Sequence, residues 1–191
     1  MPKIVDHEQY REELIWACYG VFADHGFARC TMKELAVAAG VTPGTLYHYF
    51  PDKLTLFQCV VRTIAETDLR EWERIITRVH GLSARLGELG DYIDRNEVYF
   101  ARQYRIWREV ATHLDQAGDF SQELRELYAR YLAVLGLVFE DAATANFPRE
   151  RLVIFLASVV DGLTFHRQVD PTHPTFRELF ETFAQMLGAP R

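Results

Sequence analysis

Apolar residues recur along this chain at intervals of three and four, and Val and Ile nowhere alternate with polar residues as a strand would require. The pattern predicts an all-α protein. Leu14, Cys18, Val21 and Phe22 mark one side of a first helix over residues 8–24, which ends before Gly26. A long stripe of Leu54, Phe57, Val60, Val61 and Ile64 follows Asp52, a natural N-cap, and runs on into the Trp72–Arg78 region. Gly81, Gly87 and Gly90 weaken the pattern, so a break or a short helix is expected over 81–90. Further helices are expected over 96–114, 121–143, 148–168 and 175–187, separated by a Gly118-Asp119 turn, Asn146-Phe147-Pro148, and a loop bracketed by Pro171 and Pro174. No internal repeat or low-complexity segment interrupts them.

The segment from Thr31 to Lys53 is the most specific. Thr31 and Glu34 form a capping box that starts one helix, with Leu35, Ala36 and Ala39 on its inner face. Gly40 stands where a left-handed residue ends it. Thr42 and Pro43 then supply an N-cap and a first-turn proline, so a second helix begins three residues later. This is a helix-turn-helix. Val41, Leu46 and Phe50 point back at the first helix, which leaves Thr42, Gly44, Thr45, Tyr47, His48 and Tyr49 outside. Two tyrosines flanking a histidine cannot all be buried on one helical face. No acidic group occurs from Gly40 to Pro51, as close approach to phosphates requires.

The string AVAAGVTPGTLYHYFPDKLTLF resembles the DNA-binding head of the TetR family of bacterial transcription regulators. The resemblance is close over about residues 8–60 and architectural beyond, where LVIFLASVVDGLTFH resembles the eighth helix of one branch. It implies a helix-turn-helix head over 1–52 and a ligand-binding, dimerising body over 53–191. It assigns phosphate contacts to Thr31, Tyr49 and Lys53, and groove or base-edge contacts to Thr42, Pro43, Gly44, Thr45, Tyr47 and His48. Lys33, with Arg29 and Lys53, surrounds the reading helix with positive charge. Dimerisation is assigned to the last two helices, through Leu152, Leu156, Val159, Val160 and Leu163 and then Phe176, Leu179, Phe180 and Phe183. The implied partners are double-stranded operator DNA, a small-molecule effector and a second copy of the chain. The implied activity is repression relieved by the effector.

Charge sharpens that reading. The chain carries a net charge of −6, and residues 1–56 hold five Lys/Arg against seven Asp/Glu. An acidic protein is a poor general coater of DNA, so docking at one specific site fits better. Three cysteines without C-x-x-C spacing indicate neither disulfides nor zinc, and Cys30, just before the Thr31 cap, is the one most open to exposure. The longest apolar run, Leu152 to Val160, is nine residues and too short for a bilayer. The charged N-terminus does not resemble a secretion signal, so a cytoplasmic protein without membrane attachment is expected.

A second constellation lies in the body. Tyr99, Phe100, Gln103, Tyr104 and Trp107 share one helical face, Tyr128 and Tyr131 follow on the next helix, and Phe155 and His166 on the one after. Each could be ordinary core. Together, aromatic walls with a few polar groups describe a small-molecule site, and a carboxylate such as Glu109 or Asp161 beside them would suit a cation. No phosphate-binding Gly loop, nucleophile elbow or His-Glu-x-x-His pair is present, and the seven histidines are scattered. Neither catalysis, metal nor cofactor is expected. The alternative is a helical small-molecule-binding protein, or a cofactor-independent enzyme, whose head does not read DNA.

Overall fold

The computed structural model describes residues 7–112, 120–140 and 147–188. All regular structure among them is helical: α1 (His7–His25), α2 (Met32–Ala38), α3 (Pro43–Tyr49), α4 (Lys53–Thr77), α5 (Leu82–Arg95), α6 (Glu97–Thr112), α7 (Phe120–Gly136), a 3-10 turn (Leu137–Phe139), α8 (Arg149–Val169) and α9 (Phe176–Met186). The expected helices are present with shifts of a residue or two at most ends, but α7 ends at Gly136 rather than 143. The Gly118-Asp119 turn and Asn146 lie outside the described residues.

Contacts divide the chain into two compact units, Met1–Ala65 with Arg105–Phe120, and Glu66–Tyr104 with Ser121–Arg191. That division falls inside α4 rather than at the 52/53 boundary set by sequence, and it also divides α6. In the first unit Leu14, Cys18 and Phe22 of α1 and Leu35, Ala36, Leu46, Phe50 and Phe57 are all buried, and the Cys18 thiol meets α2 at the Leu35 carbonyl, 3.7 Å away. Phe57 sits edge-on to Phe22 at 5.2 Å and tilted on Phe27 at 5.0 Å. Asp52 accepts a 2.7 Å hydrogen bond from the Thr55 N–H and so caps α4 as expected.

The second unit has its own core of Trp72, Ile76, Leu86, Leu89, Ile93, Val138, Leu156 and Phe180, among others. Of the break or short helix expected over 81–90, the break falls at Gly81, with φ 85° between α4 and α5, while α5 then runs unbroken from Leu82 through both Gly87 and Gly90. The reason is tertiary. A Cβ on Gly90 would meet the backbone N and Cα of Arg177 at 2.8 Å, so its absence lets α9 lie directly on α5. Asp94 exploits that approach, accepting from the Phe176 and Arg177 N–H groups at 2.9 and 3.0 Å and satisfying the start of α9. The Thr175–Glu178 capping box completes that terminus.

The pair α8 and α9 differs from expectation in which side it leaves open. Leu152, Leu156, Val160, Leu163, Phe176, Phe180 and Phe183 are buried within the chain itself, and Val159 and Leu179 are half-buried. Helical periodicity identifies an apolar stripe but not what covers it. The large apolar side chains left exposed on these helices are Ile154, Phe155, Phe165, Val169 and Met186. By length and composition α8 could cross a membrane, but its Leu152–Leu163 stripe is occupied by the core.

Candidate DNA-reading head and aromatic site

The helix-turn-helix is built as its residue types demand. The Thr31 side chain accepts from the Glu34 N–H at 3.3 Å, while Glu34 accepts from the Thr31 N–H at 2.8 Å. Gly40 takes φ 68°, a left-handed value that releases the chain from α2. Thr42 Oγ1 accepts from the Thr45 N–H at 3.1 Å, and Pro43 opens α3. Leu46 and Phe50 anchor α3 from beneath with no exposed surface. Thr42, Pro43, Gly44, Tyr47 and His48 then stand in solvent, Tyr47 with 51% of its surface open, and Thr45 and Tyr49 lie half-buried. A seven-residue helix is marginal alone, so these caps and the two buried anchors hold the face still.

Three of the expected phosphate groups are already engaged. The Thr31 hydroxyl donates to Glu34 at 2.8 Å, so both of its donors go to one carboxylate. Lys53 directs its ammonium at the carbonyls of Phe27 and Cys30, 2.7 and 2.9 Å away, with the Phe27 ring 4.4 Å beneath it. It ties the turn between α1 and α2 to the start of α4. The Tyr49 hydroxyl is 3.1 Å from His7 Nδ1, and the Tyr10 ring packs edge-on at 5.5 Å. Lys33 is exposed. Cys30, whose exposure the sequence left open, is buried and donates to the Gly26 carbonyl at 3.0 Å; burial pushes its thiol pKa up, which quiets its reactivity.

A family model described as bacterial regulatory proteins, tetR family, matches residues 15–60, the stretch that carries this turn, its caps and its anchors. The chain belongs to the TetR family. Among relatives, the HTH-type transcriptional regulator PksA of Bacillus subtilis is 26% identical over 187 residues, covering 90% of this chain and 84% of that protein. The HTH-type transcriptional repressor BepR of Brucella suis is 41% identical over 51 residues, or 27% of this chain and 24% of that one. Among solved structures, Salmonella enterica GusR superposes with TM-score 0.72 at 22% identity, over 97% of this chain and 98% of that one. The chain is thus a TetR-family transcriptional regulator with a helix-turn-helix head.

In the second unit of this TetR-family chain an aromatic cluster forms from four helices. Trp72 packs on Phe100 at 5.9 Å and Tyr131 at 5.4 Å; Phe100 also meets Tyr92 and Tyr99 at 5.7 and 5.4 Å; Tyr128 stacks on Tyr131 at 6.0 Å. Tyr99, Phe100, Tyr128 and Tyr131 are therefore brought together, with Gln103 buried alongside. Phe155 instead packs on Phe183, and His166 on Phe165 and His173. Tyr104 is half-buried, and Trp107 and Glu109 fall in the first unit.

Sequence reasoning missed the polar centre of this cluster, Asp68 on α4. Its Oδ1 accepts from the Tyr99 hydroxyl at 2.9 Å. Burial pushes its pKa from the usual carboxylate range to about 7, against the opposing pull of Tyr99 and Gln103. Gln103 Nε2 is close enough to favour the charged form but lacks hydrogen-bond geometry to any acceptor. Burial likewise raises the Tyr92 and Tyr131 phenols. A signal was available: Asp68 stands at i+4 from Ile64 and i−4 from Trp72, a carboxylate on an otherwise apolar stripe. Asp161 also shifts upward by desolvation, but its side chain is open to water, and screening limits what that is worth. A separate cavity of about 20 Å³ beside Glu97, Thr164 and Arg167 has room for little more than one water.

Proposed function

We propose that this TetR-family regulator is a cytoplasmic repressor that binds a palindromic operator as a homodimer and leaves it when a small molecule binds the body. The observation that carries the reading is the carboxylate-free outer face of α3, where Tyr47 and His48 stand exposed on a doubly capped helix. Tyr47, Thr45 and Gly44 are suited to a major groove: a ring against thymine methyls, a hydroxyl for base edges, and a bare Cα for close approach. Repression is the role of BepR, the transcriptional repressor that the head resembles. The second copy would dock on the exposed face of α8 and α9 at Phe155, Phe165 and Met186, and the head/body boundary at 52/53 separates the two roles. α4 supports coupling, because one unbroken helix carries Lys53 at its start and Asp68 and Trp72 further along. A ligand that prefers one setting of α4 would shift the population toward it.

The competing reading, a small-molecule-binding protein whose head does not read DNA, draws on the internal engagement of Thr31 and Lys53. A gel shift against the DNA upstream of the protein's own gene separates them. Saturable retardation, abolished by specific competitor but not by random DNA, supports the regulator. Binding that does not discriminate sequence defeats it.

A further inference from the structure

The aromatic cluster holds a carboxyl group that no cation among the described residues balances. Asp68 Oδ1 receives the Tyr99 hydroxyl and the Gln103 amide lies close by without hydrogen-bond geometry, but among the described residues Oδ2 accepts no hydrogen bond and no cation acts on the carboxyl. Other carboxylates of the same unit have such partners: Glu97 pairs with Arg167 at 2.9 Å and Asp91 with Arg177 at 2.6 Å. Two buried donors lie in the same neighbourhood without acceptors, the Trp72 indole N–H and the Gln103 amide N–H, each on a side chain only 4% exposed. Buried polar groups are almost always matched in folded proteins, since each orphan costs on the order of 1–3 kcal/mol. An uncompensated carboxylate beside two unmatched donors, ringed by Trp72, Tyr99, Phe100 and Tyr131, is the half of a recognition site that a ligand completes.

We propose that Asp68, with Gln103 and Trp72 beside it, recognises a protonated amine carried on an apolar or aromatic body. This deepens the effector-responsive reading above and rests on it. An anion would meet Asp68 without compensation. A cation gains the carboxylate and the faces of the surrounding rings together. The open lone pairs on Oδ2 call for an N–H donor, which favours primary to tertiary ammonium groups over quaternary ones. An oxygen on the same molecule would accept from Trp72 or Gln103. Asp68 keeps some exposed surface, and Tyr128 at the outer side of the cluster is 52% exposed, so the charge is not sealed off from solvent.

The test is calorimetric titration of the full chain with four probes that share a phenylethyl body: 2-phenylethylamine, 2-phenylethanol, 3-phenylpropionate and trimethyl(2-phenylethyl)ammonium. The amine should bind at least about tenfold more tightly than the other three. Asp68→Asn should remove that preference while far-UV circular dichroism stays unchanged. Should Asp68→Asn fail to fold, Gln103→Leu and the quenching of Trp72 fluorescence, assigned with Trp72→Phe, report the same site. No amine binding, equal binding of the anion or the quaternary ion, or an unaltered Asp68→Asn variant each overturns the proposal. A gel shift on the same preparation keeps the two readings apart. DNA binding without amine binding sinks only the amine site, whereas amine binding without DNA binding sinks the regulator and leaves the site standing.

Discussion

Tyr47 and Asp68 are opposite anomalies: a large aromatic side chain left in water and a carboxylate taken out of it. Tyr47 is exposed on a face with no acidic neighbour, so Tyr47→Ala removes no core contact. Fluorescence anisotropy should show operator affinity falling by about 1–3 kcal/mol, with helical content unchanged. Lys53→Ala should behave differently, because its ammonium closes the turn on two carbonyls. It should lower thermal stability as well as affinity. Asp68 makes a pH prediction. The folded carboxyl keeps its proton to about pH 7, whereas the unfolded one releases it near the ordinary carboxylate value of 3.8. Between those values the native state binds more protons, so the contribution is present at low pH and is lost as pH rises through 7. The titratable groups facing Asp68 are the Tyr92, Tyr99 and Tyr131 phenols, and burial pushes those of Tyr92 and Tyr131 further up, away from that window. Urea denaturation should therefore find Asp68→Asn more stable than the parent by roughly 1–4 kcal/mol at pH 8, with little difference at pH 4. A parent whose stability rises across that range would contradict the assignment.

Glycines separate local rules from tertiary ones at the scale of helices. In isolation Gly87 and Gly90 weaken α5 by about 1 kcal/mol each relative to Ala. In the fold, Gly90 is where α9 crosses α5 so closely that a Cβ would strike backbone at 2.8 Å. Gly90→Ala should thus destabilise by about 1–3 kcal/mol or more despite its better helix propensity. Gly20, inside α1 with nothing within 4 Å of an added Cβ, is the control. Gly20→Ala should stabilise by about 0.5–1 kcal/mol, and the two effects are read from paired thermal melts. Both variants moving in the same direction would remove the close approach as the reason that α5 tolerates its glycines.

Assembly turns on which side of α8 faces outward. Leu156 has no exposed surface and Phe155, its neighbour in sequence, is half exposed. Phe155→Glu should yield folded monomers by analytical ultracentrifugation, with loss of tight operator binding because one head occupies only one half-site. Leu156→Glu should instead cost the fold itself, since it places an unpaired charge in the core. If Phe155→Glu remains dimeric at micromolar concentration, the second copy docks elsewhere.

The head was legible in the sequence because its information is local. Thr31 with Glu34, Gly40, and Thr42 with Pro43 act through neighbours at most four residues away, so residue type and spacing were enough to set both helices and the face between Thr42 and Tyr49. The same locality made α4 visible from Asp52 and the aromatic positions visible from their spacing. What spacing cannot carry is the identity of the covering surface. Leu152, Leu156 and Phe180 form an apolar stripe whether their own chain or a partner buries them, and only the fold turned them inward. Gly90 weakens a helix until α9 arrives against it. Asp68 becomes consequential only when α5, α6 and α7 bring Tyr92, Tyr99, Gln103 and Tyr131 around it without a cation, for desolvation is a property of the assembled surroundings and not of a residue in a string.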